Sequence, residues 1–153
     1  ADIATMRTHG KVDDYFMIRF FRPSLAPDVR VTLKASYLMR EAEPRFVLHG
    51  TLGSYVKHGV DKQEAALLRG EMPDQPHWGE EEWGLIHTEI GGEEICRKYP
   101  GISGNYGGFY QNIYEHLRLG EALQTGARDI LNVIRVIEAA YRSQQEGKVI
   151  SLK

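Results

Sequence analysis

Phe46-Val47-Leu48-His49-Gly50-Thr51-Leu52-Gly53-Ser54-Tyr55-Val56-Lys57-His58-Gly59-Val60-Asp61-Lys62-Gln63-Glu64 is the stretch on which the fold turns. Residues 45–50 and 53–58 read as two short strands on either side of Thr51-Leu52. Residues 61–69 then switch to helical character. Asp61 stands at the cap position with Glu64 three residues on, a capping box with Asp in place of Ser or Thr. Gly70 is placed to stop that helix. A short hairpin running straight into a helix belongs to an α+β chain rather than to an all-β or an all-α one.

Working outward, the upstream half reads as sheet. Residues 1–8 form an expected edge strand. Residues 12–21, rich in aromatic and β-branched types, form a second, joined to the first by Thr8-His9-Gly10-Lys11. Pro23 and Pro27 mark a turn. In residues 29–39, Val31, Leu33, Ala35 and Tyr37 alternate with Arg30, Thr32, Lys34 and Ser36. That alternation predicts a strand with one covered face. Downstream, residues 71–79 are a loop, and residues 84–90 and 93–99 flank Gly91-Gly92 as a hairpin. Two helices follow. One spans residues 105–119 and is stopped by Gly120. The other spans about 127–145, with Thr125 as its expected cap and Gly147 as its stop. Residues 147–153 read as a short final strand. The expected fold is α+β: an open, mostly antiparallel (mixed) β-sheet with helices packed on one face, in a single domain over residues 1–153.

Composition narrows the function classes. The chain has 153 residues, 19 basic against 21 acidic, and a formal charge of −2. That balance gives no pull towards nucleic acid or an anionic membrane, so neither is expected as a partner. No apolar run approaches the length of a membrane span. Residues 1–7 lack the basic start and apolar run of a signal peptide. Cys96 is the single cysteine, which fits a reducing, cytoplasmic location, and its place among apolar residues suggests a buried side chain. The first residue is Ala, already in strand-like sequence, which suggests an N-terminal truncation; processing of a mature protein is the plainer alternative. The six histidines show no ligand spacing, so no metal site is expected; His49 and His116 are read as satisfied structural residues. Glu80, Glu81 and Glu82 read as a solvated loop.

Two places carry candidate binding chemistry. Strand alternation puts Tyr55 and Lys57 on one face, and His58 follows. Such side chains can hold the hydroxyls of a sugar or polyol; the plainer reading is a twisted hairpin with a solvated polar face. Gly101-Ile102-Ser103-Gly104-Asn105-Tyr106-Gly107-Gly108 is rich in glycine but matches neither G-x-G-x-x-G nor G-x-x-x-x-G-K-[ST]. It reads as a lead-in to a helix, with Asn105 and Tyr106 as further candidates for substrate contact.

The central run resembles the C-terminal domain of the Gfo/Idh/MocA oxidoreductases, especially inositol-dehydrogenase-like bacterial members. In these a stretch close to G-T-x-G-S-[YF]-x-K-x-G-x-D-x-Q-E precedes a short helix. Gly50, Thr51, Gly53, Ser54, Tyr55, Lys57, Gly59, Asp61, Gln63 and Glu64 match it. The resemblance continues through Trp78-Gly79, Gly104-Asn105-Tyr106, Phe109-Tyr110, the helix from Val133 to Ser143 and Gly147-Lys148-Val149-Ile150.

It implies a two-domain enzyme. An N-terminal Rossmann domain, absent from this chain, binds NAD or NADP. The present domain lines the substrate cleft and forms a homodimer through its sheet face. The family's catalytic lysine and histidine motifs belong upstream of this region. His9 lacks the flanking Asp of the histidine motif. The resemblance therefore assigns this chain no catalytic, cofactor-binding or metal residue; it implies a cleft wall, on which Tyr55, Lys57 and His58, with Asn105 and Tyr106, are the expected substrate contacts. The chain alone is expected to be inactive and to bind no cofactor. The alternative is a stand-alone dimerisation or small-ligand-binding module.

Overall fold

The structure, a computed structural model, describes residues 1–5, 10, 12–22, 29–73, 78 and 82–152. The expected Pro23 and Pro27 turn, His9 and its neighbours Thr8 and Lys11, and Glu80 and Glu81 lie outside these. In chain order the elements are β1 (Asp2–Ala4), β2 (Tyr15–Arg22), β3 (Val29–Ser36), β4 (Phe46–His49), β5 (Gly53–Lys57), α1 (Gln63–Leu68), β6 (Gly84–Ile90), β7 (Glu93–Tyr99), α2 (Tyr106–Leu119) and α3 (Ala127–Glu146). The expected class holds: open sheets accompanied by helices, with every described ladder antiparallel. The strands divide into a three-stranded and a four-stranded sheet, and the chain divides into two compact units.

The first unit, Ala1–Arg40 with Thr125–Lys153, holds the sheet β1-β2-β3 and the helix α3. Phe16, Ile18 and Phe20 on β2 stand opposite Ala35, Leu33 and Val31 on β3, so apolar residues from both strands share one face. Along β3 that face is not fully covered, with Val31 43% and Leu33 46% exposed.

α3 begins at Gly126 rather than at the expected Thr125. The Asp129 carboxylate accepts the Gly126 N–H at 2.9 Å, so the third residue of the helix supplies the capping group. α3 ends at Gly147 with φ +62°, a left-handed stop that glycine adopts without a Cβ clash. Gln144 reaches the edge strand β1, where its carboxamide accepts the Ile3 N–H and donates to the Ile3 carbonyl at 2.6 Å. Residues 148–152 do not form the expected final strand. Val149, Ile150 and Leu152 instead border a cavity of about 720 Å³ whose other walls come from Ala1, β2, β3 and α3.

The second unit, Glu41–Gln124, holds the sheet β4-β5-β6-β7 with α1 and α2. The β4–β5 turn closes through Gly50 N–H to the Gly53 carbonyl at 2.8 Å, and the Thr88 hydroxyl of β6 donates to the Leu52 carbonyl at 2.6 Å. Gly91 and Gly92 both take positive φ, +64° and +85°. A two-residue hairpin turn matched to strand twist needs that geometry. Cys96 on β7 is exposed rather than buried. It lies opposite His87, on the face whose partners Ser54 and His49 are also polar. α2 starts after Asn105, whose side-chain oxygen accepts the Gly108 N–H at 2.9 Å, and ends at left-handed Gly120, φ +76°.

Candidate functional site

The candidate side chains are carried by β5, by the chain from β5 into α1, and by the start of α2. Tyr55 and Lys57 share a strand face as the alternation predicts. They stand opposite Leu48 and Phe46 of β4, and Tyr55 also stands opposite Ile86 of β6. The Tyr55 ring lies over Gly84 of β6. A Cβ there would come 2.2 Å from the ring Cζ and 2.3 Å from the hydroxyl, so only glycine leaves room for the phenol. Lys57 is 7% exposed and closes the strand. His58, one residue on, is exposed. His49 is satisfied by Ser54, Nδ1 to Oγ at 2.8 Å, and His116 by the Glu121 carbonyl at 2.7 Å.

Asp61 acts near the head of α1, though not as expected. Lys62 occupies the cap position and offers no side-chain bond. The Asp61 carboxylate accepts the Gln63 backbone N–H at 2.9 Å and the Gln63 Nε2–H at 2.6 Å. Glu64, the expected capping-box partner, is exposed. Gln63 is completely buried. Its Oε1 accepts two further bonds, from Trp78 Nε1–H at 3.1 Å and from the Tyr106 backbone N–H at 2.9 Å. Gly104 packs against this cluster so closely that a Cβ would fall 2.0 Å from Asp61 Oδ2 and 2.2 Å from Gln63 Nε2. Gln63 and Trp78 matter here in a way the sequence reading did not assign. The local signal was Asp-x-Gln at a helix start; the partners at Trp78 and Tyr106 lie 15 and 43 residues away.

The structure thus ties the start of α2 to the β5–α1 connection. Asn105 spends its side-chain oxygen on the cap of α2. Tyr106 is held through its backbone, and its side chain stays exposed. Phe109 and Tyr110 follow edge to face, with ring centroids 5.3 Å apart. The carboxamide of Gln63 is thus the group that joins the β5–α1 connection to the start of α2.

The same geometry differs from that of a Rossmann dinucleotide site, where pyrophosphate lies at a glycine turn between a parallel strand and a helix N-terminus. Every described ladder here is antiparallel. In the glycine-rich lead to α2, Gly104 faces the Asp61 carboxylate and the Gly108 N–H is taken by Asn105. A carboxylate at that place repels phosphate. Among the described residues, no group of three or more His, Cys, Asp or Glu side chains is placed to hold a metal ion.

The family model for the oxidoreductase C-terminal alpha/beta domain, Gfo/Idh/MocA, matches residues 4–152. The chain belongs to this family. The Gfo/Idh/MocA domain is 32% identical, over all of its length, to 42% of scyllo-inositol 2-dehydrogenase (NADP(+)) of Bacillus subtilis. It is 73% identical to an oxidoreductase of Bacteroides fragilis whose crystal structure superposes with a TM-score of 0.89, over 99% of this chain and 46% of that one. The oxidoreductase yvaA of Bacillus subtilis, 30% identical, superposes with a TM-score of 0.90 over 99% and 44%. The chain spans under half the length of these relatives. Among the described residues, no helix of the Gfo/Idh/MocA domain is long and apolar enough to cross a membrane.

Proposed function

We propose that this Gfo/Idh/MocA domain is the substrate-side half of a cytoplasmic NAD(P)-dependent dehydrogenase acting on a sugar or polyol. A Rossmann domain encoded upstream supplies the nicotinamide and the catalytic lysine and histidine. Tyr55, Lys57, His58, Asn105 and Tyr106 line the cleft and hydrogen-bond the substrate hydroxyls. Their contribution is placement, because fixing a reacting carbon against a hydride donor removes much of the entropic barrier. The observation that carries this reading is the alignment of the whole chain with 42% of an NADP-dependent scyllo-inositol dehydrogenase.

The test is an assay of nicotinamide reduction by the full reading frame, with scyllo-inositol, myo-inositol and aldoses as substrates and NAD or NADP as acceptor. Turnover of a cyclic polyol or sugar is expected from the full-length protein and none from this chain alone. Turnover by the chain alone, or none by the full-length protein with any of these substrates, counts against the assignment. Thermal melting of the chain with NAD or NADP adds a cofactor check. A ligand at 100 times its Kd stabilises by about 2.7 kcal/mol. A rise in Tm with either cofactor would show a nucleotide site in this domain; no rise is expected.

A second role is favoured by the exposed apolar side chains of β2 and β3. Phe16 is 36% exposed and, by register, shares its face with the exposed Val31 and Leu33. This face is proposed as the homodimer contact, in the intact enzyme or in a stand-alone module.

A further inference from the structure

Gln63 has no ordinary reason to be completely buried. Polar side chains enter a protein interior when their hydrogen bonds are met there, and its carboxamide meets three from outside its own backbone. Oε1 uses both acceptor positions, on Trp78 Nε1–H at 3.1 Å and the Tyr106 N–H at 2.9 Å, while Nε2–H donates to Asp61 Oδ2 at 2.6 Å. The amide orientation is fixed by these partners. Reversed, it would point N–H at two donors and oxygen at a carboxylate. Three separate stretches of chain therefore meet on one planar group, and Gly104 closes over it with no room for a Cβ.

Two of those stretches carry the candidate substrate contacts. His58 and Lys57 lie five and six residues before Gln63, and Tyr106 with Asn105 forms the start of α2. The geometry points to Gln63 as the positioning residue that sets one half of the proposed polyol wall against the other. This inference rests on the substrate-side assignment above. Gln63 itself touches no substrate. It acts through Asp61 and Tyr106, and its loss leaves two part-buried N–H donors without their acceptor and Asp61 Oδ2 without its donor, while Asp61 Oδ1 keeps the residue-63 backbone N–H.

Glutamate is nearly the same size, so Gln63→Glu isolates the polarity of the carboxamide. Ionised, the new carboxylate keeps Trp78 and Tyr106 as donors but puts an oxygen 2.6 Å from Asp61 Oδ2. Two carboxylates that close repel each other, so the shared site holds its proton above the usual carboxylate range, and losing that proton as pH rises towards neutral drives the pair apart. Asp61 is the titratable side chain bonded to Gln63; the other two partners are an indole and a backbone amide. A folded-state value raised in this way means that the variant's stability is present at acid pH and is lost as pH rises through that value. When protonated, the variant's O–H donates to Asp61 as the amide did, so the wall is restored.

The experiment is steady-state kinetics of the full-length oxidoreductase, wild type against Gln63→Glu, Gln63→Leu and Tyr55→Phe, across pH with scyllo-inositol as the probe and then other inositols and aldoses. Gln63→Glu is expected to raise KM for the polyol roughly 10–100-fold at neutral pH, leave KM for the nicotinamide unchanged, and return towards wild type in acid. Gln63→Leu should show the same defect without acid rescue. If Gln63→Leu does not fold, the Trp78 indole and Tyr106 amide resonances of Gln63→Glu in this chain, shifting at neutral pH and reverting in acid, carry the test. A raised polyol KM in Tyr55→Phe with wild-type constants in Gln63→Glu at every pH overturns the role of Gln63 and leaves the polyol wall standing. A Gln63→Glu protein that loses cofactor and polyol affinity together, with no acid rescue, shows a general folding role and also overturns it. If Tyr55→Phe leaves polyol KM alone, or the wild type turns over no polyol or sugar, the wall assignment falls and the positioning role falls with it.

Discussion

Gly84 shows how one missing methyl shapes the site. The Tyr55 ring occupies the space above it, where a Cβ would sit 2.2 Å from the phenol carbon. Gly84→Ala must therefore push the ring away or strain the β5–β6 ladder, and forced overpacking of this kind costs about 1–3 kcal/mol. The expected result is a lower urea midpoint with an unchanged slope. Because the three atoms nearest that Cβ all belong to the Tyr55 ring, a Tyr55→Ala background should remove most of the penalty, giving a coupling of about 1 kcal/mol or more in a double-mutant cycle. Additive effects of the two substitutions would show that the ring does not sit there. None of this was visible in the sequence. The alternation placed Tyr55 on a face, but the glycine beneath it is 29 residues away and is read from sequence as an ordinary strand start.

At the scale of elements, α2 separates capping from ligand contact. Asn105 was a candidate substrate residue, yet its side-chain oxygen holds the Gly108 N–H at 2.9 Å. Asn105→Ala is expected to destabilise by about 1 kcal/mol through loss of the cap. Asn105→Asp keeps the acceptor and adds a favourable charge at the helix N-terminus, so it should restore stability. If the Asp variant recovers stability while polyol affinity stays low, Asn105 serves both purposes; if affinity returns with stability, it is a cap alone.

α3 offers a pH test. The Tyr141 hydroxyl donates to the Asp13 carboxylate, and that bond, followed by the charge of Asp13, raises the tyrosine above its ordinary range. A raised folded value means that the contact with the ionised carboxylate stabilises below the unfolded tyrosine range and is lost as pH rises through the raised value. The Tyr141 ultraviolet titration should shift down in Asp13→Asn; an unchanged titration would sink the contact.

Element ends were readable where one residue forces the backbone, as at Gly120, Gly147 and the Gly91-Gly92 turn. They were misread where the decisive partner was a choice among neighbours. Thr125 lost the cap to Gly126 and Asp129, and Val149, Ile150 and Leu152 border a cavity instead of joining a sheet edge.

For the molecule as a whole, the telling feature is apolar surface left open on a strand face. Large contiguous apolar patches on soluble domains mark interfaces, and Phe16, Val31 and Leu33 share one face of the β2–β3 pair while remaining 36–46% exposed. The sequence alternation identified the apolar positions of β3 but assigned them to a covered face. Coverage depends on what packs there, which periodicity alone does not encode.

If a second copy covers this face, the contact is isologous and the same residues approach from both sides of a two-fold axis. Leu33→Lys then places two ammonium groups in one interface, where each loses hydration and repels the other. The Gfo/Idh/MocA domain is expected to scatter light as a dimer at micromolar concentration and Leu33→Lys as a monomer with its circular dichroism unchanged. High salt screens repulsion between exposed charges but does not repay the burial of an ammonium, so the variant should stay largely monomeric in it. A wild-type monomer at those concentrations, or a Leu33→Lys dimer as tight as wild type, would move the interface off this face and leave the exposed strands to be covered by another part of the intact oxidoreductase.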